Sequence, residues 1–361
     1  MSNTTTTDKQ TGQEHEHIAA GAGGDFASFD SGKLSLLHRI HRFFHSNPTA
    51  APAFVLLFAI AVFSSMVGGR FLAPFNLSLI LQQVTIIATL GVAQTLIILT
   101  AGIDLSVGAI MVLSTVVMGR MGVEYGLSPV IALLAGLLCG AICGAVNGGL
   151  VTRLKLPPFI VTLGTWNVFF AVNLWYSNSE TIRSQDIDAH AAILHWTGNA
   201  FDVFGAQLTY GSLLMVALFV GVWYALKWTA WGRHVYATGD DRSAADLAGI
   251  RTTRVLFSVY VMAGLFCAVA GWVLIGRIGS VSPQAGFMSN LDSITAVVIG
   301  GTSLFGGRGS IYGTLIGALV VGVFRNGLAL AGVDVLWQQF TVGLLIIVAV
   351  AIDQWIRRVS E

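Results

Sequence analysis

Long stretches of this sequence contain no charged side chain, and their lengths constrain the fold more than any other feature. Thirty-three residues separate Arg70 from Asp104 without an Asp, Glu, Lys or Arg between them. Four further uncharged intervals, each of 22 to 28 residues, begin after Glu124, Lys155, Asp202 and Arg254. Because a helix needs about 20 largely apolar residues to cross the hydrocarbon core of a bilayer, these intervals predict membrane-spanning helices.

The composition agrees with this interpretation and excludes other classes of protein. Hydrophobic residues make up 55% of the chain and charged residues 10%, whereas about a quarter of the residues of an ordinary globular protein are charged. A water-soluble enzyme of this size cannot bury so much apolar surface. The net charge of +1 gives no basic field for nucleic acid. The 42 glycines favour closely packed helices over a barrel, so the predicted fold is an all-α, polytopic membrane protein.

About ten transmembrane helices fit the hydropathy pattern. The predicted spans are 50–68, 78–99, 105–121, 129–151, 158–177, 211–228, 255–276, 292–305, 310–331 and 336–356. The second contains a glycine and the eighth is short, and eight spans with re-entrant segments fit the same pattern. The halves on either side of the central loop are candidates for an inverted repeat.

The basic residues predict the orientation of these spans, because cytoplasmic loops are enriched in Lys and Arg. With both termini in the cytoplasm, fourteen basic residues lie inside and four outside, and Arg325 lies within a span. Residues 1–46 are predicted to form a cytoplasmic tail, disordered to amphipathic, without the apolar segment of a signal peptide. Residues 47–361 form the transmembrane domain, with a cytoplasmic loop at 228–254 and a periplasmic loop at 178–210.

The cytoplasmic loop contains a short predicted helix rich in small and charged residues. Asp240 or Asp241 suits its N-cap, and Gly249 suits the position after its last turn. One interpretation is a solvated connection between spans. The other is a helix on the membrane surface that docks into a soluble partner, with candidate contact residues Asp240, Asp241, Arg242, Ala244, Ala245, Leu247 and Gly249.

Several polar residues lie at predicted membrane depth, where an ionisable side chain is a functional candidate. Asp104 either caps the third span by accepting from the amides of Ser106 or Val107, or takes part in a pathway or gate; one residue can do both. The full set of pathway or gating candidates is Asp104, Ser106, Asn147, Trp166, Asn167, Arg325 and Asn326.

A stripe of small residues runs along the fourth span, where Gly136, Gly140, Gly144 and Gly148 recur every four residues. Such a stripe permits close approach of another helix backbone. It predicts packing within the chain, with an interface between subunits as the alternative.

Residues 300–310, Gly-Gly-Thr-Ser-Leu-Phe-Gly-Gly-Arg-Gly-Ser, resemble a phosphate-binding loop only superficially. The segment lacks the Gly-Lys-Ser/Thr ending, and no strand is predicted before it, so we expect no ATP to bind this chain. A tight cytoplasmic turn is expected instead, with Arg308 available to a partner or to lipid phosphates. No catalytic or metal-ligating constellation is apparent, and we expect neither a catalytic site nor a bound cofactor or metal.

Four motifs resemble the ribose-type permeases of bacterial ABC importers. They are Ala-Gly-Ile-Asp-Leu-Ser-Val-Gly at 101–108, Pro-Pro-Phe-Ile-Val-Thr-Leu-Gly-Thr at 157–165, Gly-Arg-His-Val-Tyr-Ala-Thr-Gly at 232–239, and Ala-Val-Val-Ile-Gly-Gly-Thr-Ser at 296–303 followed by Gly-Gly-Arg-Gly-Ser at 306–310. The resemblance covers residues 50 to 355. The family usually has glycine where this chain has Ala101, a change that should leave the turn intact.

The resemblance implies a multi-pass subunit of the bacterial inner membrane that translocates a monosaccharide such as ribose, xylose or fructose. It implies a second permease copy, a cytoplasmic ATP-binding subunit with tandem ATPase domains and a periplasmic sugar-binding protein as partners, besides membrane lipid. It also identifies the 239–250 segment as the coupling helix that contacts the ATPase. The aromatic residues that follow Thr165 are a hint of a fructose-like hexose. A branched-chain amino acid permease and a stand-alone proton-coupled sugar carrier are the alternatives.

Overall fold

The computed structural model describes residues 49–286 and 289–360, so the predicted N-terminal tail lies outside the described residues. The chain there is almost entirely helical. The α-helices are α1 Ala50–Val67, α2 Pro74–Leu99, α3 Val107–Gly119, α4 Pro129–Arg153, α5 Pro158–Ser177, α6 Ser184–His190, α7 Tyr210–Trp228, α8 Ala230–Asp240, α9 Arg242–Leu247, α10 Thr252–Ile278, α11 Ser289–Ile299, α12 Ile311–Leu330 and α13 Val335–Ser360.

Local sequence signals place the beginnings of the long helices. Proline occupies the first position of α2, α4 and α5, where its missing N–H leaves no intrahelical bond unmade. Thr209 and Thr229 cap α7 and α8 by accepting from the amides of Ser212 and Gly232. Helix α3 continues into a π-helical turn, Arg120–Glu124.

Among the described residues, eight helices are long and apolar enough to cross a membrane, which confirms a polytopic helical protein. The predicted eighth span, 292–305, is not one continuous helix. Its helix, α11, has 11 residues, about 16 Å at 1.5 Å per residue, and ends at Ile299, where glycines begin an extended loop. The second predicted span is an unbroken helix of 26 residues despite its internal glycine. The tenth corresponds to α13, whose described apolar part is Val335–Val348.

Helices α2 and α10 form the centre of the bundle. Helix α10 packs against α2, α3 and α4, while α2 also contacts α11 and α12. Most of α2 is buried, including Leu90, Leu96 and Ile97, which have no exposed surface. Helices α1, α4, α5 and α7 each carry exposed apolar side chains on one face, as expected for surfaces that face lipid or another subunit.

The segment between α5 and α7 holds the described strands, which the all-α prediction did not include. After α6 and a 3₁₀ segment, Ala192–Gly198, strands β1 Ala200–Val203 and β2 Ala206–Thr209 form an antiparallel hairpin. Ala200 pairs with Thr209 and Val203 with Ala206. This segment also forms an isolated bridge between Ile182 and Val281, so the chain after α5 lies beside the chain after α10.

Candidate functional site

The loop between α7 and α10 presents a short surface helix, α9. The Asp241 carboxylate accepts from the amides of Ser243 and Ala244, at 2.8 and 3.0 Å, and therefore caps this helix. Gly249 follows with φ of 84°, a conformation that favours glycine. The predicted short helix, its cap and its terminating glycine are therefore all present.

Helix α9 exposes one large apolar side chain to solvent. Leu247 is 91% exposed, and the flanking residues Asp246 and Ala248 are exposed as well. Ala245 was expected to insert into a partner, but it is 4% exposed and anchors the helix to its own chain. The available surface is formed by Asp240, Asp241, Arg242, Ala244, Leu247 and Gly249.

The end of α8, the end of α2 and the 300–310 loop meet at a junction of glycines. The Gly307 amide donates to the Leu99 carbonyl oxygen at 3.0 Å. A Cβ atom at Gly239 would overlap the backbone of Leu99 and lie 2.8 Å from the Gly307 nitrogen. These glycines therefore bring three backbones into contact, and each of the three segments was predicted to lie on the cytoplasmic side.

A buried polar cluster lies just beyond the end of α2. Asp104 is 2% exposed, and one of its carboxylate oxygens accepts from both the amide and the hydroxyl of Ser106, each at 2.6 Å. Asn147 of α4 donates to the Ser106 hydroxyl oxygen at 2.8 Å and to Asp104 at 3.4 Å. The cluster thus fixes the beginning of α3 against α4, as the capping interpretation of Asp104 requires.

The beginnings of α3 and α11 meet inside the protein. Asn290, in the first turn of α11, donates through its side-chain amide to the Leu105 carbonyl oxygen at 3.1 Å. Asp104 precedes α3, and Asp292 lies in the first turn of α11. Both carboxylates are therefore placed where the partial positive charge of a helix N-terminus stabilises an anion.

Arg325 and Asn326 each have a partner that the sequence did not reveal. Arg325 forms an ion pair with Asp292 at 2.6 Å, and Asn326 exchanges two hydrogen bonds with Asn76. The partners lie 33 and 250 positions away along the chain. An opposite charge inside a neighbouring predicted span was the available signal for Asp292, whereas no sequence signal pointed to Asn76.

The remaining pathway candidates lie on α5. Trp166 is half-buried, and Asn167 is exposed on the outer face of the helix. The Asn167 side-chain amide donates to the Leu163 carbonyl oxygen of its own helix at 3.0 Å. Of the seven pathway or gating candidates, Asn167 is the one whose side chain is exposed on the exterior of the bundle.

The glycine stripe of α4 packs within the chain. A Cβ atom at Gly140 would lie 2.7 Å from the Ala268 side chain of α10, and one at Gly144 would overlap the backbone of Tyr260. Gly148 faces Tyr260 and Phe257, whereas Gly136 faces α3. The stripe therefore lets α4 approach α10 and α3 closely, in agreement with the interpretation as intrachain packing.

In the part of the chain that the structure describes, no group of three or more His, Cys, Asp or Glu side chains could hold a metal ion. The candidate polar residues form helix caps, interhelical hydrogen bonds and the ion pair between Asp292 and Arg325. Such an arrangement positions helices, whereas α9 leaves Leu247 exposed at the surface.

Comparison with known proteins identifies similar sequences over the whole chain. The family described as "Branched-chain amino acid transport system / permease component" matches residues 76–350. The fructose import permease protein FrcC of Rhizobium meliloti is 56% identical over 356 residues, 99% of each chain. The ribose import permease protein RbsC of Bacillus subtilis (strain 168) is 43% identical, covering 83% of this chain and 91% of its own length.

A third relative has a related sugar in its name. The D-allose transport system permease protein AlsC of Escherichia coli (strain K12) is 34% identical over 84% of this chain and 91% of its own length. No solved structure matches the chain.

Proposed function

Since this chain belongs to the ribose-type branch of the permease family of ABC importers, we propose that it is the transmembrane subunit of an ATP-driven importer that translocates a monosaccharide. Its location is the bacterial inner membrane, which it crosses several times, and its role is transport and not catalysis. The observation that carries this conclusion is the full-length similarity to a fructose import permease.

The order of the similarities supports a hexose resembling fructose as the cargo. Identity is 56% to the fructose permease, 43% to the ribose permease of Bacillus subtilis and 34% to the allose permease. All three relatives carry the name of a sugar, although the family description refers to branched-chain amino acids. An amino acid as the cargo is therefore not favoured.

Helix α9 supports a cytoplasmic ATP-binding subunit as the partner that supplies the energy. Its exposed Leu247 is an apolar side chain without a covering surface in the described chain, surrounded by charged residues. A small apolar contact within a polar rim is typical of a protein interface. We expect ATP binding to draw two such helices together, one from each permease copy, and ATP hydrolysis to reset them.

The buried polar cluster supports a positioning role in this cycle. Asp104, Ser106 and Asn147 join the beginning of α3 to α4, and the end of α2 just before them contacts the α8 segment. A displacement of α8 would therefore reach the cluster through the Leu99 backbone. We expect these residues to gate the pathway by holding α3 in position, without contacting the sugar.

The exposed position of Asn167 supports the presence of a second permease copy beside α5. An amide group that faces lipid at this depth has hydrogen-bonding capacity that lipid cannot satisfy. A second copy of the chain, or the sugar passing between two copies, would supply the missing partners. Disulfide formation between two Asn167→Cys chains in native membranes, absent from the unmodified chain, tests this placement.

The periplasmic side supports delivery of the sugar by a soluble binding protein. Trp196 stacks between Tyr210 and Trp272, with ring centroids 5.1 and 5.6 Å apart, and the Thr197 hydroxyl donates to the Trp272 carbonyl oxygen. These contacts tie the segment before the hairpin to the end of α10. A preorganised periplasmic surface suits a transient contact with a sugar-loaded binding protein.

Reconstitution into liposomes tests the proposed function. The chain is inserted with its ATP-binding subunit, and radiolabelled fructose is supplied outside with the periplasmic binding protein. We expect uptake that requires ATP inside the liposome and the binding protein outside. A Leu247→Asp variant should insert normally and lose most uptake, because a carboxylate replaces the exposed apolar contact.

The matched control is Leu154→Asp, the same change at a second exposed leucine, which lies directly after α4. Sugar accumulation driven by a proton gradient, with no ATP-binding subunit present, would overturn the proposal in favour of a secondary carrier. Equal uptake by the Leu247→Asp variant and the unmodified chain would contradict the coupling role of α9.

A further inference from the structure

The 300–310 loop forms a hydrogen-bonded turn beside the segment that leads into α9, and the proposed coupling role of α9 assigns no function to it. The Ser303 amide donates to the Arg308 carbonyl oxygen at 2.9 Å, and the Gly306 amide donates to the Ser303 carbonyl oxygen at 3.1 Å. Gly306 and Gly307 have φ values of 84° and 68°, in the left-handed region that favours glycine. The two bonds close a tight turn and hold the Arg308 backbone in place.

The turn is in direct contact with the segment that leads into α9. A Cβ atom at Gly307 would lie 2.7 Å from the Cα atom of Asp240, so the two backbones touch. Two residues after Gly307, the Gly309 carbonyl oxygen accepts a hydrogen bond from the hydroxyl of Tyr236 of α8 at 3.0 Å. Burial raises the pKa of Tyr236, which keeps this hydroxyl protonated and able to donate.

Arg308 projects from this turn as an exposed cation next to the α9 surface. Its neighbour Gly307 contacts Asp240, the last residue before the α9 cap, and both Asp240 and Arg308 are exposed. Among the side chains that the structure describes in residues 49–286 and 289–351, no carboxylate lies within ion-pair distance of Arg308. The loop that carries Arg308 is thus joined to the segment that leads into α9 through the contact of Gly307 with Asp240.

We propose that the 300–310 loop is a second docking element for the ATP-binding subunit, in which Arg308 pairs with an acidic side chain of that subunit. The inference rests on the proposed function, because it names a further contact of the same partner. The segment that leads into α9 and the loop that carries Arg308 touch at the backbones of Asp240 and Gly307. One bound subunit therefore engages both elements, and its movement reaches the α2 end through Gly307.

Co-purification tests the proposal. The tagged chain is expressed with its ATP-binding subunit, and the amount of subunit retained is measured as the salt concentration rises. Arg308→Glu should lower retention about tenfold, since it places like charges opposite one another. Arg308→Lys keeps the charge and should stay within about twofold of the unmodified chain. Arg153→Glu is the matched control, an equal charge reversal at the exposed cytoplasmic end of α4.

Two further measurements separate the possible failures. Size-exclusion profiles in detergent establish that each variant folds, and Arg308→Ala removes the charge without reversing it. Normal retention by folded Arg308→Glu, with retention lost in Leu247→Asp, would overturn the second docking element and leave the coupling role of α9 intact. Normal retention by both variants would contradict the docking surface as a whole. A photo-crosslinker at position 308 that captures lipid and not the ATP-binding subunit would also overturn the inference.

Discussion

Asn76 and Asn326 exchange two hydrogen bonds, each side-chain amide donating to the carbonyl oxygen of the other, at 3.0 and 2.9 Å. The pair joins the first turn of α2 to the last turns of α12. Asn76 is 5% exposed and uses its second donor on the Phe71 carbonyl oxygen at 2.7 Å. One residue thus fixes the turn before α2 and the packing of two helices that are distant in sequence.

A double-mutant cycle on this pair should show coupling. Asn76→Ala and Asn326→Ala each remove one partner and leave the other amide without its reciprocal bonds. Interhelical hydrogen bonds in membranes contribute about 0.6 kcal/mol on average, so the two bonds together are expected to give about 1 kcal/mol of coupling. The measurement is the unfolding free energy of both single variants and the double variant in mixed micelles. Additive losses would show that the pair is not coupled.

The buried ion pair between Asp292 and Arg325 gives a larger expected effect. Asp292 is 7% exposed and Arg325 is 25% exposed at their side chains, so removal of one charge leaves the other poorly solvated. Asp292→Asn should destabilise the protein by about 2–3 kcal/mol, below the range for a fully buried pair because Arg325 keeps some exposure. Thermal unfolding followed by tryptophan fluorescence measures the loss.

The double variant Asp292→Leu with Arg325→Met is the control for this ion pair. It removes both charges at similar side-chain volume and should recover most of the stability lost by Asp292→Asn. If the double variant is less stable than the single variant, the unpaired charge is not the source of the loss.

Much of the fold could be predicted from the sequence because charge spacing reports directly on the bilayer. The long helices coincide with uncharged intervals, and the cap at Asp241 and the proline at the first position of α2 follow local rules that act within one turn. The error at 292–305 has the same origin. An apolar run of that length indicates a buried segment. It does not show whether that segment is one helix or, as here, α11 followed by a glycine-rich loop.

The candidate site was less predictable, since its contacts join residues far apart in sequence. Asp104 could be recognised as a cap of α3 because Ser106 is two positions away. Asp292 and Arg325 pair across two helices, and hydropathy does not report which faces of those helices meet. Ala245 was predicted to contact a partner because its side chain is small, whereas in the structure it is buried against its own chain.

Asp104 allows its capping and gating roles to be separated. Asp104→Asn retains an oxygen that accepts from the Ser106 amide, and should lower stability by about 1 kcal/mol with uptake at least half of normal. Asp104→Leu leaves the Ser106 and Asn147 donors without this partner and should lose most uptake through displacement of α3. ATP-dependent sugar uptake, normalised to the amount of folded protein, measures both. Loss of uptake in folded Asp104→Asn would instead indicate a direct role of the carboxylate in the pathway.

Helix α4 offers a matched pair of glycines that tests the close packing of the bundle. A Cβ atom at Gly144 would overlap the Tyr260 backbone of α10, whereas one at Gly149 meets nothing within 4 Å. Gly144→Ala should therefore force α4 and α10 apart and lower the unfolding free energy by about 1–3 kcal/mol, the range for an overpacked core. Gly149→Ala makes the same chemical change on the same helix, five residues away. It should leave stability unchanged or raise it by up to about 1 kcal/mol, because alanine has the higher helix propensity. Thermal unfolding of the two variants in the same detergent gives the comparison, and equal stability would show that the stripe faces lipid or a second copy and not α10.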